Sequence, residues 1–469
     1  MNKILMVCLL WCLALHTSAQ QKTIVSGKLL NCTDKVLEIV PSTGSFKDSV
    51  KVNADGTFYY STTQIIAPFR ANLTNRKQIQ IQLFIAPGYD LQIHADVKDY
   101  ASTRSSLVYQ GLGSKTNGYW KGLLGNFKSD TTKWVKKNEN DYIAYLNTGK
   151  QAAAMDKVFT ADNKEPSADY FRQSIQLDIH FGKFIAIYSS YAYENSYTWA
   201  QIQGMIAKLG YKSLLEEFKD ERNLMSSSFS YLVTSYPFYC DNYNAFAADS
   251  LVKKEGNYSL YLAAKFYSGK VYDYYAYDHI PSKMTSLYKV EDFKRLQPFI
   301  ERIDDPIVQK SVRALEATRL KAAMALQAGA PSPLFNLADT SGKFYQLAEM
   351  KGKVIYIDLW ASWCGPCKEE TPYLKKIYDQ LKNNDKVQII SIASFDAKNR
   401  ARRYEIIKKD QMNWLQLEDT EDAFAKSYQA NFIPRFIIID KQGKIVDSDA
   451  VRPSEPEKLM AILNREISK

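Results

Sequence analysis

The chain has 469 residues, a length that points to two or three domains rather than one. Hydrophobic side chains make up 46% and charged ones 24%, ordinary globular usage that excludes wholesale disorder. The net charge of +10 is diffuse, with 22 basic against 20 acidic side chains in residues 330–469, so no basic stripe of the kind nucleic acid requires is present. Four scattered histidines (His16, His94, His180, His279) exclude a His-based metal cluster.

Met1-Asn2-Lys3 gives a short positive start, and Ile4 to Leu15 an uncharged apolar run. Thr17-Ser18-Ala19 supplies the small residues that a signal peptidase reads. A run of this length falls short of the ~20 residues needed to span a bilayer, so a secretory signal peptide over residues 1–19 is expected. The mature chain is then exported and soluble.

From residue 20 to 112 the text alternates with period two. Val36-Leu-Glu-Ile-Val40 and Asp48-Ser-Val-Lys-Val52 are followed by an Asn53-Ala-Asp-Gly56 turn. Ile79-Gln-Ile-Gln-Leu-Phe84 and Leu91-Gln-Ile-His-Ala95 flank the Pro87-Gly88 breaker. This reads as an antiparallel β-sandwich-like domain. Residues 113–328 switch to helical spacing, clearest where Asp305 can cap and Pro306 can open a helix running to Gln327. Of the 32 tyrosines, 18 lie between Tyr170 and Tyr288, either as helix packing or as a peptide-binding surface.

Gly329-Ala-Pro-Ser-Pro333 reads as a stiff hinge, and residues 329–469 as a compact α/β domain. Val354 to Leu359 is a buried strand, Pro366 to Leu381 a helix and Val387 to Ile392 a second strand. Helices follow around Arg400–Lys409 and Glu421–Tyr428, then strand Phe436 to Ile439, strand Lys444–Val446 and helix Pro456–Ile467. Alternation of this kind implies βαβ units around a central sheet.

Beyond the expected leader the cysteines are Cys32, Cys240, Cys364 and Cys367. The first two read as buried small hydrophobes, with a bridge between them left open. Cys364 and Cys367 stand three apart where a strand hands over to a helix. There they can close a small disulfide ring, and the positive end of the helix favours a thiolate on the first sulfur. No second Cys or His pair accompanies them, which excludes zinc.

Trp360-Ala-Ser-Trp-Cys-Gly-Pro-Cys367, Glu370, Pro372, Ile433-Pro434 and Asp440-Lys-Gln-Gly443 together resemble the TlpA/ResA-like thioredoxin-fold thiol–disulfide oxidoreductases. The upstream chain more loosely resembles segments that precede such domains in envelope proteins of Gram-negative bacteria, which implies a periplasmic or envelope location. The resemblance implies that Cys364 is the nucleophile, Cys367 the resolving thiol, Asp358 a buried proton acceptor and Glu370 a thiol-tuning carboxylate. It implies substrate contacts at Trp363, Gly365, Pro366, Ile433 and Pro434, with Pro434 in cis. Arg435, where the family usually has Thr, favours thiolate or acidic substrate, or else pairs with Asp440 or Glu418. No cofactor beyond the Cys364–Cys367 disulfide is implied, and no metal. The expected partners are protein disulfides and a membrane electron donor that recharges the dithiol. Two alternatives stay open: a partner-binding or scaffold protein with an accessory redox domain, and a peroxiredoxin-like peroxidase. The peroxidase would need Thr where this chain has Ala361.

Overall fold

The structure is a computed structural model that describes residues 21–42, 48–126, 135–148, 163–211, 214–242 and 257–469. The expected leader, residues 1–19, lies outside the described residues. The chain divides into two compact units, 1–277 and 278–469.

The first unit opens with strands β1 (Thr23–Leu30), β2 (Val36–Pro41), β3 (Asp48–Lys51), β4 (Thr57–Thr62), β5 (Phe69–Thr74), β6 (Gln80–Ile85) and β7 (Asp90–Asp96). Helix α1 (Tyr100–Ser106) and strand β8 (Val108–Leu112) follow. They form two four-stranded sheets, ordered β4-β1-β7-β8 and β3-β2-β5-β6. Alternate residues such as Val25, Leu37, Leu73, Ile81 and Ile93 share one buried cluster between them. The period-two pattern therefore marks the inward faces, as a sandwich requires. One pairing departs from the antiparallel expectation: β1 runs parallel to β7. The long stretch of chain between these strands provides the crossover that a parallel pair needs.

Helices α2 (Ser114–Asn126), α3 (Glu139–Asn147), α4 (Ala168–Ile185), α5 (Trp199–Lys208), α6 (Ser227–Asn242), α7 (Tyr258–Phe266) and α8 (Gly269–Met284) come next. Many of the tyrosines are packing residues: Tyr188 stacks on Tyr239, and Tyr236, Tyr267, Tyr272 and Tyr275 are buried. Cys240 is buried among these helices, whereas Cys32 is a free thiol against the sandwich core, so no bridge joins the two.

The second unit contains α9 (Val290–Glu301) and α10 (Pro306–Ala325). The Asp305 carboxylate accepts from the amides of Ile307 and Val308, and Pro306 opens α10, as its sequence dictates. The Gly329–Pro333 segment is not a bare hinge. Gly329 donates to the Ile445 carbonyl (2.8 Å) and Ser332 to that of Gly443 (3.0 Å), which stitches the segment to a hairpin of the sheet beyond it.

That sheet has seven strands in the order β10-β9-β13-β12-β11-β14-β15. They are β9 (Asn336–Asp339), β10 (Phe344–Gln346), β11 (Val354–Trp360), β12 (Val387–Ala393), β13 (Leu415–Glu418), β14 (Arg435–Ile439) and β15 (Ile445–Asp447). Helices α11 (Gly365–Leu381), α12 (Arg400–Lys409), α13 (Ala423–Ser427) and α14 (Pro456–Ser468) complete it. β11 pairs in parallel with β12 and antiparallel with β14, so it is an interior strand, and all seven of its residues are buried. This is a thioredoxin-like fold. Strand β13 has no counterpart in the sequence reading, because a four-residue Leu-Gln-Leu-Glu is too short to show a period.

Side chains of β11 alternate between two cores. Val354, Tyr356 and Trp360 pack with Cys364, Cys367, Leu374, Leu459 and Leu463. Ile355, Ile357 and Leu359 pack with Phe335, Phe424, Ile437 and Ile439 on the other face. Burying each large aliphatic side chain contributes about 1.5–3 kcal/mol, so the strand is fixed in register from both sides.

Candidate active site

The site forms where β11 ends and α11 begins. The connecting loop is held from below by Asp396, whose carboxylate accepts from the Ser362 amide (2.8 Å) and hydroxyl (2.9 Å). Arg403 donates to the Asp396 carbonyl (2.9 Å) and to Glu418 (2.8 Å), so the loop's anchor is itself anchored. Trp363, half exposed at 50%, donates its indole N–H to the Phe395 carbonyl (2.9 Å).

Cys364 is the N-cap of α11, and Pro366 sits in the first turn where no amide donor is missed. The Cys367 amide donates to Cys364 Sγ at 3.2 Å. Cys364 and Cys367 form a disulfide. When that bond is reduced, the same amide and the other unpaired first-turn N–H groups stabilise negative charge on the first sulfur. In the closed ring Cys364 and Cys367 are equally buried, each 3% exposed.

Asp358 lies on the strand face of Tyr356 and Trp360, which is the face of the two cysteines. Burial pushes its carboxyl up to about 7. The Ser391 hydroxyl, donating at 2.7 Å, opposes that rise, and the charge of Glu370 adds to it. Glu370 stands one turn after Cys367 and is buried, accepting from the Ser454 amide (2.9 Å) and hydroxyl (3.0 Å), with Arg452 at 3.8 Å.

The Ile433–Pro434 bond is cis. Ile433 packs against the cluster that contains both cysteines and also against the aliphatic cluster on the other face. Gly365 and Pro366 are exposed, and Ile433 and Pro434 half-buried, alongside Phe432 at 57%.

Arg435 is buried rather than placed at the approach to the disulfide. It sits opposite Leu359 in the antiparallel β14/β11 pair, so its side chain enters the face away from the cysteines. It is 2% exposed, donates to the carbonyls of Ser448 (2.9 Å) and Tyr428 (2.7 Å), and stacks on the Tyr288 ring at 3.6 Å. It is buried on the face opposite the cysteines, and its hydrogen bonds are to those carbonyls rather than to Asp440 or Glu418.

Sequence reasoning missed Ser391, Trp414, Asp396, Arg403 and Ser454. Ser391 carried one signal, a polar residue inside the apolar Val387–Ala393 run. Among the described residues no group of His, Cys, Asp and Glu is arranged to hold a metal ion.

A disulfide capping the helix that follows β11, a cis-proline loop packed on the same core and a buried carboxyl on β11 are the features of thioredoxin-fold redox domains. Residues 327–463 match the Redoxin family. The thiol-disulfide oxidoreductase ResA of Bacillus subtilis is 30% identical over 118 residues, covering 25% of this chain and 64% of the relative. ResA of Bacillus cereus is 28% identical over 122 residues, 26% of this chain and 69% of the relative. Among solved structures, the thioredoxin domain of a thiol-disulfide oxidoreductase from Bacteroides vulgatus is 28% identical, covers 29% of this chain and 98% of that one, and has a TM-score of 0.26. A thiol-disulfide oxidoreductase from Bacteroides fragilis is 27% identical, with 28% and 99% coverage and a TM-score of 0.26. The C-terminal part of the chain carries a Redoxin domain and is similar to the ResA thiol–disulfide oxidoreductases. The chain spans 64% of the length of the Bacillus subtilis relative.

Proposed function

We propose that the protein reduces protein disulfides through the Cys364–Cys367 dithiol. The observation that carries this reading is the Cys364 sulfur capping α11 and accepting the Cys367 amide, beside the buried Asp358. In the reduced protein the Cys364 thiolate attacks one sulfur of the substrate disulfide. The substrate bond breaks, its second sulfur leaves as a thiolate, and a mixed disulfide joins Cys364 to the substrate. Cys367 then loses its proton to Asp358 and attacks Cys364 Sγ. The mixed disulfide breaks, the substrate leaves with two reduced sulfurs, and the ring closes again. A carboxyl near 7 suits that proton transfer, since a base poised at the working pH is the most effective.

Trp363, Gly365, Pro366, Ile433 and Pro434 line the approach to the disulfide and are the proposed contacts for an extended substrate strand. The Gly-Pro dipeptide is that of reducing thioredoxins, whose potential lies near −270 mV, against about −120 mV for DsbA. The apolar Ile4 to Leu15 run supports export to the periplasm or cell envelope, and a reductase there needs a membrane donor to recharge it. Among the described residues no helix is long and apolar enough to cross a membrane.

Trapping tests the reading. Cys367→Ser should accumulate covalent mixed disulfides with a protein disulfide substrate, and Cys364→Ser should accumulate none. Equal trapping by both variants, or by neither, would remove the proposed order of attack.

A further inference from the structure

One hydrogen-bond chain runs beneath the disulfide. The Trp414 indole N–H donates to Ser391 Oγ at 2.8 Å, and the Ser391 hydroxyl donates to Asp358 Oδ2 at 2.7 Å. The chain crosses two strand pairings. Ser391 is the parallel partner of Asp358 across β11 and β12, and Trp414 immediately precedes β13. Ser391 is fully buried, and Trp414 and Asp358 nearly so, at 4% and 5% exposure. Ser391 also shares its side of β12 with Ile389 and Ala393, which pack in the cysteine cluster.

The direction of the chain is fixed by chemistry. An indole N–H only donates, so Ser391 Oγ accepts from it and turns its own proton towards the carboxylate. An ionised Asp358 only accepts, so the Ser391 hydroxyl donates to it while accepting from Trp414. Held by Trp414, it presents a donor to one carboxylate oxygen and leaves the other oxygen to take a proton.

We propose that Ser391 and Trp414 are positioning residues for the resolving step, a donor relay that orients the Asp358 carboxylate to receive the Cys367 proton. This deepens the reductase reading and rests on it. The atoms balance within the step already written: the proton moves from Cys367 Sγ to Asp358, and the relay hydrogens stay on their own atoms.

Other groups face Asp358. Glu370 on α11 acts on it through charge, Tyr356 lies on its own strand, and Arg452 acts on Glu370 and Tyr356. Cys364 and Cys367 share its core. Each remains in place when the relay alone is cut, so Ser391→Ala isolates the relay. Burial then acts on the carboxyl without the opposing hydroxyl, and its titration moves to higher pH.

Two readouts test this. The first is the Trp414 indole N–H resonance of the oxidised protein, assigned with Trp414→Phe and followed against pH without substrate. It should titrate with Asp358, lose that response in Asp358→Asn, and lose it in Ser391→Ala. The second is the pH–rate profile for reduction of insulin disulfides. In Ser391→Ala its acid limb should move up by about one pH unit, slowing reduction about fivefold at pH 7. Trp414→Phe, which keeps an aromatic ring in the core, should move it in the same direction by less. A flat indole resonance, or a Ser391→Ala profile that overlays the parent, overturns the relay. Absence of insulin reduction by the parent at every pH overturns the reductase reading and the proposal together, and is distinguished by that control.

Discussion

The two faces of strand Val354–Trp360 are equally buried and chemically unlike. One face carries Ile355, Ile357 and Leu359 into an aliphatic core, with Arg435 hydrogen-bonded to carbonyls and stacked on a tyrosine ring at its edge. The other sets Tyr356, Asp358 and Trp360 beneath a disulfide, with Ser391, Trp414 and Glu370 close by. The aliphatic face stabilises the fold. The polar face gives up part of that stability to keep a titratable carboxyl under two sulfurs. A single backbone serves both because successive strand residues point opposite ways.

The comparison breaks most severely if a carboxyl is moved to the wrong face. Ile357→Asp should lower stability by more than about 4 kcal/mol, because it removes a buried aliphatic side chain and adds a carboxyl with no serine to meet it. Urea unfolding at pH 7 measures this, and a midpoint near that of the parent would refute the division of the faces.

Asp358→Asn comes next. Its folded-state carboxyl is raised from 3.8 to about 7, so the native state holds the proton more tightly than the unfolded chain. Stability from this group is therefore whole below about pH 4 and falls as pH rises to about 7, by on the order of 4 kcal/mol. The Asn variant should lack that fall, while its disulfide reduction slows by about a hundredfold for want of the proton acceptor. A variant as fast as the parent would contradict the assigned role.

The smallest effect concerns Glu370. Ser454→Ala removes one of its two Ser454 donors and should cost about 1–2 kcal/mol, with the insulin-reduction rate nearly unchanged.

What the sequence revealed follows the reach of local chemistry. The strand-to-helix handover was legible because a β-branched run, a cysteine cap and Pro366 lie within a dozen residues. α10 was legible for the same reason, through Asp305 and Pro306. Ile433-Pro434 was legible through resemblance. Ser391 and Trp414 were not, because their meeting with Asp358 depends on the register of β11, β12 and the approach to β13, which no local spacing encodes. Arg435 was misassigned because closeness to Pro434 in sequence does not reveal the strand face. The parallel β1–β7 pair escaped because it joins strands that are far apart in sequence.

The proposed reduction depends on Cys364 being an acidic thiol because it caps α11. The most direct measurement is the thiolate absorbance near 240 nm of the reduced protein against pH, with Cys364→Ser as the reference. A Cys364 transition near ~7 is expected, well below the ~8.5 of a free cysteine. A transition at or above ~8.5 would contradict it.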